Sequence, residues 1–282
     1  MGGFGEVLVV GDTPEWFSGS IPETYHKYLG PILFDFSARH LAECVSRKLK
    51  GKVNVLEVAC GTGISTSYLA KSLSRGSLIQ ATDLSVDMLE LAHKHFSRLP
   101  RVRFSQANAQ ELDIPDRSMD AVICQFGLMF FPDKEKALSE FYRVLKPGGL
   151  LAVSTWADKS RFPFALIVDE VVSTYFSSDP PDMTALPYCL GTETDLDLLL
   201  TRGGFNLCTY QEASGPVRVG DYADFARGLI GGNPTILEIE SRATADIDVV
   251  IDACVAAATE RLGPPPRDFY LPAIFGFCRK PA

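Results

Sequence analysis

The sequence lacks long hydrophobic runs, paired cysteines and clusters of positive charge. No segment approaches the roughly 18 apolar residues that a membrane-spanning helix needs. The seven cysteines include no CxxC pair, so we expect reduced core thiols in a cytoplasmic protein, with no disulfide framework and no bound metal. The formal net charge of −8 argues against nucleic acid and anionic membranes as partners. A small-molecule partner is expected, for a monomer or a homodimer.

The first 16 residues, MGGFGEVLVVGDTPEW, show neither of two targeting signals. No basic region precedes their short apolar run, so we expect no secretory signal peptide. Gly2 matches the first position of an N-myristoylation motif, but that motif also needs Ser or Thr at position 6, where this chain has Glu6. We therefore expect no acyl anchor on this segment.

Hydrophobic periodicity predicts a helical start followed by an alternating middle. Apolar residues at three- and four-residue spacing predict helix across 20–49, interrupted at Pro22 and Pro31. Five strands are predicted next, at 53–59, 78–83, 102–108, 119–126 and 150–156. The helices between them are predicted at 66–74, 86–96 and 134–145, the last ended by Pro147-Gly148-Gly149. This alternation predicts an α/β fold with a doubly wound, mostly parallel sheet.

The alternation of predicted strands and helices ends after residue 157. Two final strands, at 205–213 and 270–280, bring the predicted sheet to seven strands. The remaining segments read as helices and loops, with helices at 162–176, 194–204, 221–230 and 235–262. We expect the insertions 158–204 and 214–269 to form a C-terminal helical lid.

The stretch VLEVACGTG places an acid inside a strand and two glycines at its end. Ligands of an open parallel sheet bind beyond the carboxyl ends of its strands, where Gly61 and Gly63 allow close backbone approach. Asp83 ends the second strand, where an acid can accept hydrogen bonds from both hydroxyls of a ribose. This layout predicts a nucleoside-binding site.

Three features narrow the identity of the nucleoside. Thr66 stands where a dinucleotide fingerprint has its third glycine, which disfavours a nicotinamide dehydrogenase. No lysine follows the glycines, as it would in a phosphate-binding loop. The carboxylate of Glu57 would repel a pyrophosphate and suits a cationic ligand. The predicted ligand has a ribose, a positive end and no phosphate.

Four blocks follow in order along the chain: LEVACGTG, ATDLSVDMLELA, ANAQELDIPDRSMDAVICQFGLMFF and FYRVLKPGGLLAVSTW. They resemble the successive motifs of class I S-adenosylmethionine-dependent methyltransferases, especially the small-molecule type of quinone biosynthesis and secondary metabolism. The resemblance implies one Rossmann-like methyltransferase domain over 1–282, with S-adenosyl-L-methionine as cofactor. Within it, 1–49 would be an N-terminal helical cap and 50–157 the cofactor-binding core.

The same resemblance implies individual cofactor contacts. Residues 57–63 would wrap the methionine and sugar portions, Asp83 would hold the ribose, and Gln125 would close the site after the fourth strand. The implied contacts are Tyr25, Glu57, Ala59, Gly61, Gly63, Asp83, Leu84, Met88, Asn108, Ala109 and Gln125. Two departures stand out: the family often has aspartate at the position of Asn108, and Ala59–Cys60 replaces a more usual glycine pair.

Aromatic residues predict the acceptor side of the site. Their positions after the fourth strand and in the insertion predict an apolar pocket for an aromatic or polyketide-like acceptor beneath a mobile lid. The predicted pocket residues are Tyr28, Phe126, Met129, Phe130, Phe162 and Tyr188. His26, in the N-terminal segment, is the candidate general base, whereas the other histidines are expected to pack or to face solvent.

Two functions from different classes stay open at this point. The first is methyl transfer to a small acceptor, with O-methylation slightly ahead of C- or N-methylation. CQFG follows the fourth strand in place of the Asn/Asp-Pro-Pro-Tyr/Phe motif of amino-methylating DNA and protein enzymes. The second is a cyclase or binding protein that keeps the fold and the cofactor site without transferring methyl. Methyl-transfer turnover separates the two.

Overall fold

The computed structural model describes residues 17–99 and 101–282. The predictions about targeting signals in the first 16 residues lie outside this part. The strands are β1 (Asn54–Val58), β2 (Leu78–Asp83), β3 (Val102–Gln106), β4 (Met119–Gln125), β5 (Leu145–Trp156), β6 (Cys208–Val219) and β7 (Arg267–Arg279). They form one seven-stranded sheet in the order β3-β2-β1-β4-β5-β7-β6. Strands β1 to β5 pair in parallel, and β7 and β6 are antiparallel to their neighbours, which confirms the predicted mostly parallel sheet.

Burial on both faces explains why the central strands read as apolar runs. In β1, Leu56 is fully buried, and in β4 the run Ala121–Cys124 is fully buried as well. Because helices cover both faces of a parallel sheet, such strands need no polar face. The buried core therefore follows β1, β4 and β5, and their carboxyl ends meet at one edge of the sheet.

Ten α-helices flank the sheet in the described residues. They are α1 (Ile21–Thr24), α2 (Asp35–Lys48), α3 (Ile64–Ser72), α4 (Val86–Phe96), α5 (Lys134–Val144), α6 (Pro163–Ser173), α7 (Glu193–Arg202), α8 (Tyr222–Gly231), α9 (Ile236–Arg242) and α10 (Ile247–Leu262). Side-chain caps define several of their starts: Ser85 accepts from Met88 N, and Asp133 accepts from Lys136 N. These caps satisfy amide groups that the first helical turn leaves free.

The N-terminal helices differ from the prediction at Pro31. The helix is not interrupted there, because Tyr25–Phe34 winds as a π-helix that joins α1 to α2 and contains Pro31. A proline removes one helical donor, and the wider π winding occurs where the α ladder is disrupted. The continuous segment reaches over the carboxyl edge of the sheet and places Tyr25 and Phe34 there.

Two further predictions are corrected at the strands. The sequence Pro147-Gly148-Gly149 lies inside β5, which begins at Leu145, directly after α5 ends. The cysteines are not all reduced: Cys208 and Cys278 face each other in the β6–β7 register and form a disulfide with an S–S distance of 2.06 Å. Their separation of 70 residues hid this pairing from the sequence, since only the antiparallel register brings them together.

The insertions after β5 form a helical layer near the carboxyl edge of the sheet. Helix α10 packs on α6 and α8, and α8 packs on the π-helix. Aromatic contacts join this layer, with the ring of Phe164 4.8 Å from that of Phe225 and 5.1 Å from that of Tyr222. Among the residues described, no helix is both long and apolar enough to cross a bilayer.

Candidate functional site

A cavity of about 510 Å³ lies at the carboxyl edge of the sheet. Asp83 and Gln125 line it from the ends of β2 and β4, Asn108 from the turn after β3, and Trp156 from the end of β5. The π-helix, helices α6 and α8, and the loop after α8 contribute further walls. The cavity thus begins at the predicted nucleoside site and continues between the sheet edge and helices α6 and α8.

The turn between β1 and α3 has the left-handed backbone that its glycines permit. Gly61 has φ +54° and Gly63, at the N-cap of α3, has φ +82°. Ala59 replaces a glycine of the family pattern and still adopts φ +54°. Space for its methyl group comes from Gly127, because a Cβ on Gly127 would lie 2.6 Å from the Ala59 Cβ. The departure at residue 59 is therefore accommodated locally.

Asp83 connects this turn to the cavity. Its Oδ2 accepts a hydrogen bond from Gly61 N at 2.8 Å, and its Oδ1 accepts one from Ser85 N at 2.9 Å. Burial raises the pKa of this carboxyl group, while the backbone N–H groups oppose that rise. Each carboxylate oxygen retains a further lone pair, so Asp83 can also accept from ligand hydroxyls in the cavity.

Glu57 lies beneath the turn and not on the cavity wall. Its side chain is buried, the Ser65 hydroxyl donates to Oε1, and Oε2 has no hydrogen-bond partner within the described chain. Burial raises the pKa of Glu57 to about 7, although the hydrogen bond from the Ser65 hydroxyl acts to lower it. A positive charge placed above the turn would favour the carboxylate form.

Most of the predicted cofactor contacts come together on the cavity wall. Those that line it are Tyr25, Ala59, Gly61, Asp83, Leu84, Met88, Asn108, Ala109 and Gln125. Glu57 and Gly63 lie behind that wall, since Gly63 faces the Phe96 ring of α4. Their roles toward a cofactor stay predictions.

The predicted acceptor residues divide in the same way. Phe126, Phe130, Phe162 and Tyr188 line the cavity. Tyr28 does not, and its hydroxyl accepts a hydrogen bond from Lys27 Nζ at 2.8 Å. Met129 does not either, because its side chain is fully buried in the core below the loop.

An aromatic wall runs through the acceptor half of the cavity. The rings of Phe126 and Trp156 stack with centroids 3.9 Å apart, and Phe34 lies 6.0 Å from Trp156. Phe162 meets Trp156 edge-on at 5.7 Å, and Tyr188 lies 4.7 Å from Phe162. Such a wall favours a flat, apolar ligand.

Several cavity residues were missed by the sequence predictions. Among them are Phe17, Leu29, Phe34, Trp156, Phe225, Asn233 and Leu271. Trp156 carried a usable signal, because it ends the fifth strand as Gln125 ends the fourth. The other apolar residues of this set lie in segments whose apolar pattern is the same for core and cavity, and the polar Asn233 lies in a loop with no motif around it.

His26 lies beside the glycine turn and outside the cavity lining. Its Nδ1 is 2.9 Å from Thr62 Oγ1, and its ring stacks on His95 with centroids 4.1 Å apart. Burial lowers the pKa of His26, and the neighbouring His95 and Lys94 lower it further. No group of three or more potential metal-ligating side chains occurs in residues 17–99 and 101–282.

Comparison with sequence families identifies the core of the chain. The model of the methyltransferase domain matches residues 56–153. A demethylmenaquinone methyltransferase of Listeria monocytogenes serotype 4a is 40% identical over 136 residues, covering 47% of this chain and 57% of the relative. The C-methyltransferase UbiE of ubiquinone/menaquinone biosynthesis from Psychromonas ingrahamii is 35% identical over 118 residues, covering 41% and 47%. The chain spans about half the length of the curated relatives it matches.

Solved structures share the fold at low sequence identity. The 4+2 cyclase SpnF gives a TM-score of 0.60 at 20% identity, covering 93% of each chain. The YcgJ protein of Bacillus subtilis gives 0.55 at 19%, covering 86% of this chain and 99% of that one. Phosphoethanolamine N-methyltransferase 2 of Haemonchus contortus, in complex with S-adenosylhomocysteine, gives 0.56 at 15%, covering 93% and 57%. At these identities the likeness shows the Rossmann-like fold alone.

Proposed function

We propose that this chain is a class I methyltransferase that transfers methyl from S-adenosylmethionine to a small, apolar, aromatic acceptor. The match of residues 56–153 to the methyltransferase domain supports the proposal. The observation that carries the proposal is the single cavity that joins Asp83 to the aromatic wall at Trp156 and Tyr188. One end offers hydrogen bonds for a nucleoside, and the other offers ring faces for an acceptor.

The residues at the first end fit S-adenosylmethionine. A Cβ added to Gly61 would meet nothing within 4 Å, so the turn leaves open space for a ligand beside the Asp83 carboxylate. Gln125 Oε1 is buried without a hydrogen-bond partner in the described part of the chain, which suits a group that receives a ligand donor. Bound there, the cofactor supplies a methyl group on a sulfonium that is already an activated leaving group.

The chain's own contribution is alignment and exclusion of water. Asp83 and Gln125 would fix the cofactor, and the stacked rings of Phe126 and Trp156 would hold the acceptor in line with it. The lid helices would exclude water from the reacting groups. When the acceptor gains the methyl group it also loses one proton, from its hydroxyl or its ring carbon, and a protein base or solvent must take up that proton.

The acceptor is proposed to be an electron-rich ring of quinol type. Support comes from the aromatic wall and from the names of the matching relatives, which act on demethylmenaquinone or in quinone biosynthesis. The sequence-based preference for O-methylation has no support from these names, and one relative is a C-methyltransferase. Likeness to a cyclase concerns the fold alone, so it gives the non-methylating alternative no further support.

A labelling experiment tests the proposal. Purified protein is incubated with methyl-labelled S-adenosylmethionine and a reduced naphthoquinone that lacks a ring methyl group, and products are analysed by mass spectrometry. We expect a labelled product, heavier by one methyl group, that is absent when S-adenosylhomocysteine is in excess. Intact cofactor bound to the protein, with no label transferred to any acceptor supplied, would contradict methyl transfer.

The ionisation of Glu57 predicts a pH dependence of cofactor binding. Because burial raises the pKa of Glu57 to about 7, the ligand-free protein holds a proton there below that pH. The folded state binds this proton more tightly than the unfolded chain does. The resulting contribution to the free energy of unfolding is present at low pH and is lost as the pH rises through about 7. If a cation requires the carboxylate, its affinity should rise roughly eightfold between about pH 6 and about pH 7.5.

Calorimetric titration with S-adenosylmethionine across this pH range measures the effect. The matched variant Glu57→Gln keeps the shape and a partner for Ser65 but cannot titrate. We expect its affinity to be nearly independent of pH in the same range. Equal pH slopes in the two proteins would assign the effect to another group.

A second prediction concerns whether His26 acts as a general base. A general base contributes about 10²- to 10⁴-fold to turnover. From its place against Thr62, outside the cavity, we expect His26→Gln to retain kcat within about tenfold and to weaken cofactor binding instead. His93→Gln, on the exposed side of α4, is the matched control. A loss of kcat beyond about 100-fold with unchanged cofactor affinity would support the base.

A further inference from the structure

The side-chain amide of Asn233 has a fixed orientation. Asn233 lines the cavity from the loop between α8 and α9. Its Oδ1 accepts from Thr235 N at 3.1 Å and from Thr235 Oγ1 at 2.5 Å. A backbone N–H can only donate, so the atom that meets it is the oxygen of the amide. The nitrogen Nδ2 therefore points elsewhere, and it has no partner among the described residues.

The loop that carries Asn233 packs against the π-helix. Gly232 packs so closely on the π-helix that an added Cβ would lie 3.1 Å from Tyr25 Cα. Tyr25 itself lines the cavity. Asn233 is therefore placed by backbone packing next to the π-helix that borders the predicted cofactor contacts.

Tyr188 is a second unpartnered donor in the same cavity. Its ring packs on Phe162, and its hydroxyl has no hydrogen-bond partner within residues 17–99 and 101–282. Burial raises the pKa of Tyr188, so the group is a neutral phenol at physiological pH and retains its proton. A neutral phenol in an apolar wall gains from a ligand atom that accepts its hydrogen.

The nearby hydroxyl of Thr184 cannot act as a donor in the same way. Thr184 lines the cavity, but its Oγ1 donates to Asp182 Oδ1 at 2.7 Å and accepts from Lys159 Nζ at 3.2 Å. Its single hydrogen is therefore already used inside the protein. Asn233 and Tyr188, in contrast, each bring to the cavity a hydrogen that no described residue accepts.

We propose that Asn233 Nδ2 and the Tyr188 hydroxyl are specificity-determining donors that select acceptors bearing a carbonyl, enolate or phenolate oxygen. The inference rests on the proposed function in one respect, namely that the methyl acceptor binds in this cavity. A hydrocarbon ligand of the same shape would cover both donors and take them out of contact with water without giving them a partner, which is costly. A site built to hydrogen-bond a ligand rejects the analogue that lacks the group. The aromatic wall selects the ring, and the two donors select its oxygen substituents.

A binding experiment without turnover tests this pair of donors. The full chain is saturated with S-adenosylhomocysteine, and the affinities for 1-tetralone and tetralin are measured by calorimetry. The two probes share a bicyclic skeleton, and only the ketone carries a hydrogen-bond acceptor. We expect 1-tetralone to bind at least about tenfold more tightly than tetralin.

Two near-isosteric variants test whether Asn233 and Tyr188 cause the preference for the ketone. Asn233→Asp keeps both hydrogen bonds from Thr235 and replaces the free donor with an acceptor, and Tyr188→Phe removes the hydroxyl while keeping the ring. Each should reduce the preference for the ketone severalfold. Tyr188→Phe should in addition strengthen tetralin binding, because it removes a hydroxyl that this ligand leaves without a partner. Tyr142→Phe, which removes a hydroxyl outside the cavity, should change neither affinity.

The results that would contradict the donor pair differ from those that would contradict the proposed methyl transfer. Equal affinity for the two probes, no binding of either, or a preference that persists in both variants would overturn the donor pair. A preference lost in the variants, together with no methyl transfer in the labelling experiment, would uphold the donors and remove the methyltransferase assignment.

Discussion

Asp83→Ala is expected to weaken S-adenosylmethionine binding by about 1–3 kcal/mol, which is roughly 5- to 150-fold in Kd. The substitution removes the carboxylate that is predicted to accept from the ribose hydroxyls. It also frees the Gly61 and Ser85 amides, so the glycine turn loses the anchor that holds it against the end of β2. Both losses act on the same ligand, and isothermal titration calorimetry measures their sum.

A matched control distinguishes the loss of the carboxylate at this site from the loss of one negative charge anywhere on the protein. Asp113→Ala removes the same charge from an exposed position outside the cavity, and we expect it to leave the Kd unchanged. Asp83→Asn keeps one oxygen and should fall between the wild type and the alanine variant. Unchanged affinity in Asp83→Ala, with the fold intact by circular dichroism, would place the sugar elsewhere.

Gly63→Ala is expected to lower the free energy of unfolding by about 2–4 kcal/mol. Gly63 has φ +82°, a conformation that a Cβ disfavours. The added Cβ would also lie 2.8 Å from Phe96 Cδ2 and 3.3 Å from Ala92 Cβ, so α4 would have to move away from the turn. Urea denaturation followed by circular dichroism measures the loss.

The chain provides a control that isolates the conformational cost. Gly148 has a similar φ of +75°, but a Cβ there would meet nothing within 4 Å. We therefore expect Gly148→Ala to cost only about 1–2 kcal/mol, the penalty of the left-handed conformation alone. The difference between the two variants reports the packing of the turn against α4. Equal losses would mean that Phe96 adapts without cost.

Local patterns along the chain specified the sheet and the nucleoside end of the site. Apolar runs such as Ala121–Cys124 predict strands that are buried on both faces, because the parallel sheet is covered by helices on both sides. Gly61 and Asp83 are readable because a glycine turn after one strand and an acid after the next are constraints on backbone and charge. Both features depend on residues close in sequence or at fixed strand ends.

The acceptor end depended on contacts between distant segments. Asn233, Trp156 and Tyr188 meet on one cavity only because the lid helices fold back over the sheet. Apolar periodicity cannot tell a residue that packs in the core, such as Met129, from one that borders a cavity, such as Phe130. The side of a helix or loop that faces open space is therefore a property of the packed molecule.

The sequence by itself determined a seven-stranded, mostly parallel sheet with a glycine turn and an acid positioned for a nucleoside. The tertiary structure decided which side chains form the acceptor pocket, that Pro31 continues a π-helix, and that Cys208 pairs with Cys278. The physical reason is the range of the interactions. Strand burial and turn conformation act over a few residues, whereas cavity walls and cross-strand pairs are set by the packing of segments far apart in the chain.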